Sequence, residues 1–257
     1  MNLIRVGVSA ILFWIMFLFK PLQQDISGKD LPRFALCALT GIAINQMLFL
    51  KGLSLTYSIH AVLLMLTTPI LITIIAAWLL KERVNVYTIL GLGFGISGAA
   101  LLISLGKNSG NGNNVLLGDF YILVNAISYT FYFILVKPLM LKYNPVQVIR
   151  LVFTMGFFMV LPFGWDEFNG IHWADFNSTA YTCLLLIVVC GTFLAYLFNI
   201  YGIKILGAAM AGTYIYSQPI FAAAIAMLFL HEPLELYKIL SAILIFTGVY
   251  LCNKNKK

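Results

Sequence analysis

Pro69 and Pro219 each stand within a long apolar stretch, and each is preceded by groups that can hydrogen-bond: Thr67 and Thr68 before the first, Tyr214, Ser217 and Gln218 before the second. A proline inside a helix removes one backbone N–H donor, which predicts that the carbonyls of Met65 and Ile215 lose their usual partners. In hydrocarbon such breaks survive only where other groups or a cavity satisfy the backbone. His60, Leu64 and Thr67/Thr68 follow helical spacing, as do Met210, Tyr214 and Ser217/Gln218. Asn125, Ser128, Tyr129 and Tyr132, at i, i+3, i+4 and i+7, give a further polar face. Asn45 and Gln46, with Tyr196 and Asn199, supply a fourth. Polar faces left against lipid would be costly, so they are expected to line one central cavity. The chemistry this predicts is hydrogen bonding to a small ligand, with Thr67, Thr68, Pro69, Asn125, Tyr129, Tyr214, Ser217, Gln218 and Pro219 as the substrate-binding set. The competing reading is that these side chains only bond helices to one another.

The same inventory argues against other chemistries. No Asp or Glu falls in the middle of an apolar stretch, so a carboxylate proton relay is not supported, and His60, near a helix end, is a weak substitute. Glu82 and Glu232 each closely precede a helix, where an anion gains about 0.3–1 kcal/mol from the N-terminal dipole, and are read as structural. Lys and Arg keep to helix ends and loops, which disfavours phosphorylated substrates relative to neutral or zwitterionic ones. Cys37, Cys183, Cys190 and Cys252 show no metal-ligand spacing, and "HEPLE" lacks the second His of a zinc motif. "GLGFGISG", 91–98, lies in an apolar stretch with no preceding strand; Gly91 and Gly95 read as a close helix approach rather than a nucleotide loop. Asn177-Ser178-Thr179 fits a glycosylation sequon, a pattern with meaning only in a secreted eukaryotic context. No enzyme, metal or cofactor is expected.

The elements that must position these residues follow from composition. Of 257 residues, 61% are hydrophobic and 10% charged, with a mean hydropathy of +0.96; a soluble domain carries roughly 25% charged residues. An all-α, polytopic membrane bundle is predicted. Nine stretches approach the ~20 residues that cross a bilayer: 3–19, 33–50, 58–80, 84–104, 118–136, 146–163, 180–201, 208–230 and 234–252. The first is read as a retained span, since no basic segment precedes it and no small-residue cleavage site follows. The net charge of +7 is unevenly spread. Twelve of the sixteen basic residues fall in or beside every second connection, while Arg5, Lys51, Lys107 and Lys238 share the other face with the acidic loop "WDEFNGIHWADFN". The positive-inside rule therefore puts the C-terminus in the cytoplasm, and the basic balance reports topology rather than nucleic acid.

The chain also repeats itself. Residues 49–101 overlie 199–251 without gaps at an offset of 150, matching at Gly52/Gly202, Ala61/Ala211, Pro69/Pro219, Ile70/Ile220, Glu82/Glu232, Tyr87/Tyr237 and Gly98/Gly248. Corresponding stretches are five spans apart, an odd number, so the copies are expected to cross the membrane in opposite senses, as the inverted repeats of many carriers do.

"KGLSLTYSIHAVLLMLTTPILITIIAAWLLKERVNVYTILGLGFGISGAALLI" and its second copy, "YGIKILGAAMAGTYIYSQPIFAAAIAMLFLHEPLELYKILSAILIFTGVYL", resemble the EamA-type repeat of the drug/metabolite transporter superfamily. The resemblance lies in the helix start, the mid-helix Pro, the acidic loop and the glycine-bearing next helix; Lys81 and His231 stand where the family usually has Gly. It implies a ten-helix, two-repeat carrier in a bacterial inner membrane, exporting small metabolites such as amino acids by alternating access. The partners implied are a small-molecule substrate and the lipid bilayer, with a homo-oligomer left open and no nucleic acid. The domains read as a first repeat, 1–104, a linker, 105–117, and a second repeat, 118–257. "LIR", 3–5, resembles "VIR", 148–150, which leaves the helix 118–136 without a counterpart: nine helices, four plus five, with the first repeat lacking its first. Either the reading frame begins about 30 residues earlier, or a partner fills the gap, or the chain is an inactive fragment. A non-transporting scaffold and an uncoupled channel remain the other classes.

Overall fold

The computed structural model describes residues 1–19, 25–57, 61, 64–81, 84–104, 114–171, 173, 176–218, 220–221 and 236–253. His60, Glu82, Pro219, His231 and Glu232 lie outside the described residues. The described regular structure is helical throughout, α-helix with short 3₁₀ and π turns: α1 Asn2–Phe19, α2 Leu31–Ala38, α3 Ile44–Leu55, α4 Thr68–Leu79, α5 Val86–Ser104, α6 Val115–Lys142, α7 Pro145–Asn169, α8 Ser178–Val188, α9 Ala195–Leu206, α10 Ala208–Thr213 and α11 Leu236–Asn253. Five described helices are long and apolar enough to cross a membrane: Asn2–Phe19, Gly28–Leu55, Val115–Lys142, Pro145–Asn169 and Ser178–Leu206.

Helix starts follow local chemistry. Asn side chains cap four of them: Asn85 Oδ1 accepts from Thr88 N–H (2.8 Å), Asn114 from Leu117, Asn144 from Val146 and Asn177 from Ala180. Asn177, the sequon residue, thus spends its side chain on a cap. Pro145 follows the Asn144 cap at a position where the missing N–H costs nothing. Asn144→Ala should destabilise by about 1 kcal/mol, read as a lower thermal midpoint in detergent, with Asn144→Asp close to wild type. Equal losses in the two variants would refute the cap.

The chain forms two compact units, each drawing on both halves of the sequence: Met1–Met47 with Phe131–Ile205, and Leu48–Thr130 with Leu206–Lys257. In the first, α1 runs antiparallel to α7, with Leu3 beside Gly164 and Gly7 beside Phe157. Phe13 packs on Phe153 (centroids 5.0 Å apart) and Phe193 (4.6 Å). Among lipid tails apolar burial gives helices little reason to associate, so tight packing of such rings against small residues holds them. The 3₁₀ turn Gly28–Asp30 is tied to the end of α6: Lys142 Nζ reaches both Asp30 oxygens at 3.1 Å, and Tyr143 OH donates to Oδ2 at 2.7 Å.

Two helices of this unit widen into π turns, at Leu39–Ala43 between α2 and α3, and at Val189–Leu194 between α8 and α9. Their first residues are 150 positions apart, the offset of the sequence repeat; so are the first residues of α5 and α11.

In the second unit, α5 and α11 pack backbone to backbone. A Cβ on Gly248 would sit 2.6 Å from the Gly91 carbonyl oxygen; one on Gly98 would sit 2.8 Å from that of Ser241. Subtracting or adding 150 converts the pair Gly91/Gly248 into Ser241/Gly98, so the two contacts are images of each other. Gly91 and Gly95 do mark a close helix approach, against Gly248.

Candidate functional site

The described members of the sequence-derived set all belong to the second unit. Ahead of α4 the helix breaks at Leu66–Thr67. Thr67 turns back on Leu64, whose carbonyl accepts its N–H (3.1 Å) and its hydroxyl (2.7 Å). Pro69 then sits in the first turn of α4, where no donor is required of it. Thr68 is fully buried, and its Oγ1 has no hydrogen-bond partner among the described residues. Thr73, one turn on, returns its hydroxyl to the Pro69 carbonyl at 2.8 Å.

The second copy breaks at the matching place. α10 ends at Thr213 and passes into a 3₁₀ turn, Tyr214–Ser217. Ser217 Oγ donates to the Tyr214 carbonyl at 2.6 Å, the counterpart of the Thr67–Leu64 bond. The Ile215 carbonyl is not left without a donor, as the proline argument predicts: the Gln218 N–H closes a 3₁₀ bond onto it. A tighter turn has replaced the orphan. Tyr214 is 42% exposed and Gln218 is exposed, whereas Ile215 and Tyr216 point inward.

Tyr216 joins the two breaks. Its hydroxyl donates to the Leu66 carbonyl at 3.2 Å, across 150 positions, while α10 lies along α4 with Gly212 against Ile72. Thr67, Thr68 and Pro69 are thereby brought beside the turn of residues 214–218. Asn125 and Tyr129 stand on α6 in the same unit, Asn125 fully buried and Tyr129 half-buried.

The first unit holds a second polar constellation, at the π turns. Gln46 Nε2 donates to Tyr196 OH at 3.1 Å, again between residues 150 apart. Tyr196 OH donates to the Gly41 carbonyl at 2.8 Å, with Asn45 Oδ1 at 3.3 Å. A π turn spaces its bonds differently from an α turn, and here its carbonyl takes a side-chain donor. Arg5 Nε donates to Thr192 Oγ1 at 3.1 Å, and the Thr192 hydroxyl in turn donates to the Ile187 carbonyl at 3.1 Å. Asn45, Gln46 and Tyr196 were legible as a polar face. Arg5 was not, because its sequence position marks it only as a residue near a helix end.

The model of the EamA-like transporter family matches residues 1–104 and 116–254. The chain is 22% identical to the uncharacterized transporter YetK of Bacillus subtilis over 97% of its own length and 76% of that protein. It is 26% identical to the uncharacterized transporter YoaV of the same organism (96% and 84%). It is also 26% identical to a probable terminal-alkyne amino-acid exporter of Streptantibioticus cattleyicolor, over 88% of this chain and 74% of that one. A solved crystal structure superposes with a TM-score of 0.77 over 98% of this chain and 87% of its own, at 14% identity, a likeness of fold. With the family match spanning both halves of a helical, membrane-crossing chain, this protein is an integral membrane protein of the EamA-like transporter family.

Proposed function

We propose that the protein exports small metabolites such as amino acids by alternating access, using two inverted repeats, 1–104 and 118–257, and a polar cavity at their interrupted helices. The bond from Tyr216 to the carbonyl of Leu66 carries this reading. Residues i and i+150 can touch only close to a two-fold axis relating the copies, and the Gln46–Tyr196 pair repeats the relation in the other unit. The contacts Gly91/Gly248 and Gly98/Ser241 are of a different kind, two contacts that the 150-residue shift interchanges, as such an axis also requires. Broken helices at such an axis are where carriers of inverted design bind substrate.

The proposed binding set is Thr67, Thr68, Pro69, Asn125, Tyr129, Tyr214, Ser217, Gln218 and Pro219. Hydroxyls, amides and carbonyls, without a carboxylate, suit a neutral or zwitterionic ligand. Uneven placement of Lys and Arg supports a cytoplasmic C-terminus, and the likeness to transporters of Bacillus subtilis supports a bacterial inner (plasma) membrane.

Counterflow into proteoliposomes, screened over the amino acids, tests it. Accumulation of at least one labelled amino acid against preloaded unlabelled amino acid is the expected result. Silence across the panel from correctly folded protein would overturn the substrate class and favour a scaffold.

A further inference from the structure

The likeness of Leu3-Ile4-Arg5 to Val148-Ile149-Arg150 puts two arginines in related places, yet their surroundings differ. Arg150 is enclosed: its guanidinium lies 4.2 Å from the Trp14 ring centre and 3.6 Å from that of Phe17, and the residue is 8% exposed. Those two faces occupy it by cation–π attraction. The Arg5 side chain makes a single hydrogen bond to a described residue, from Nε to Thr192. Thr192 is fully buried and is the middle residue of the 29-residue apolar Ser178–Leu206 helix, so the guanidinium meets that helix at its midpoint, ten or more residues from either end. Tyr196 follows Thr192 by four residues in the same Ser178–Leu206 helix.

Three facts then combine. The two terminal nitrogens of Arg5 are engaged by no described residue, and Arg5 is half-buried rather than sealed. No described carboxylate pairs with it: Asp30 is held by Lys142, and Glu167 faces the chain's amino terminus at 3.9 Å. With Nε fixed on Thr192, the remaining edge of the guanidinium is the fork that a carboxylate meets with two parallel bonds. An unpaired charge at this depth is unfavourable and marks a functional site by default.

We infer that Arg5 is an anion site for the carboxylate of a small organic acid or zwitterionic amino acid, oriented by Thr192. One positive charge among neutral donors matches a monoanion; a phosphate dianion would call for a second basic group. The inference goes beyond the cavity proposed for the second unit. It concerns binding alone, so it stands or falls separately from transport.

Full-length protein in detergent micelles is titrated with L-leucine, L-serine, acetate and benzoate, each against its primary amide, and with inorganic phosphate, while thermal unfolding is followed. The acids should protect at concentrations at least about tenfold below those of their amides. Arg5→Gln should abolish the difference and Arg5→Lys keep part of it. Thr192→Val, which preserves shape and charge, should weaken acid protection by about three- to tenfold, and it serves if Arg5→Gln fails to fold. Equal action of acids and amides, no protection by any acid, stronger protection by phosphate, or an acid response unchanged in both Arg5→Gln and Thr192→Val would overturn the site.

Discussion

Gly248→Val should all but eliminate monodisperse protein in detergent extracts, and Gly248→Ala should lower the thermal midpoint sharply. The atoms that a new Cβ would meet are the Gly91 carbonyl oxygen at 2.6 Å, the Gly95 nitrogen at 2.7 Å and the Gly95 Cα at 3.1 Å. All three are backbone, so none can rotate aside. α5 and α11 would have to separate along their length, surrendering the packing that substitutes for the hydrophobic effect between helices in lipid. Overpacking a deformable core costs about 1–3 kcal/mol; with backbone on both sides the alanine should lie at the top of that range. Gly93→Ala provides the control, since nothing lies within 4 Å of its Cβ position on α5, the helix that carries Gly91 and Gly95. Identical midpoints for Gly248→Ala and Gly93→Ala would show that the close approach does not hold the unit together.

Tyr214→Ala and Gln218→Ala should each cut substrate counterflow by about tenfold or more while folded yield stays near wild type. Both side chains are exposed at the second break, so truncating them opens no core cavity. A hydrogen bond lost in a low-dielectric site is worth about 1–3 kcal/mol, a factor of roughly five to more than a hundred in rate or affinity. Tyr214→Phe separates the hydroxyl from the ring: if the hydroxyl meets substrate, the phenylalanine variant falls with the alanine one. Parallel losses of transport and of folded protein would return these residues to a purely structural role.

Much of the fold could be read from residue order. Prolines at 69 and 219 announced interrupted helices, and a break stands at Leu66–Thr67 and again at Tyr214–Ser217. The Gly91/Gly95 spacing announced a close approach, though not that its partner would be Gly248. What stayed hidden was non-local or without a residue signature. The fate of the Ile215 carbonyl turned on a choice between a vacant acceptor and a 3₁₀ turn, which hydrogen-bond economy decides and periodicity does not. Arg5 bonds a residue 187 positions away, and the reach of its side chain moves its charge well inside the helix end that carries it. Nothing in "LTGIA" or "VCGTFL" forecasts a π turn, because these residues are equally content in an α-helix.

Those two π turns set the angular phase of the helices that contain them. Each residue advances an α-helix by 100°, so one residue more than the α pitch requires turns everything downstream through that angle relative to an unbroken helix. Phe34, Cys37 and Ala38 face inward before the first turn at ordinary spacing; Gly41, Ile42 and Ala43 are buried within it, and after it the inward stripe resumes at Gln46, one step later than Asn45, where an unbroken helix counted from Phe34 and Gly41 would bring it. Removing one residue from Leu39–Ala43 would restore the α pitch and rotate α3 by more than a quarter turn. Gln46 would swing away from Tyr196, and side chains selected for lipid would be carried toward the core. Sequence length within these five- and six-residue turns is therefore under tighter geometric constraint than residue identity.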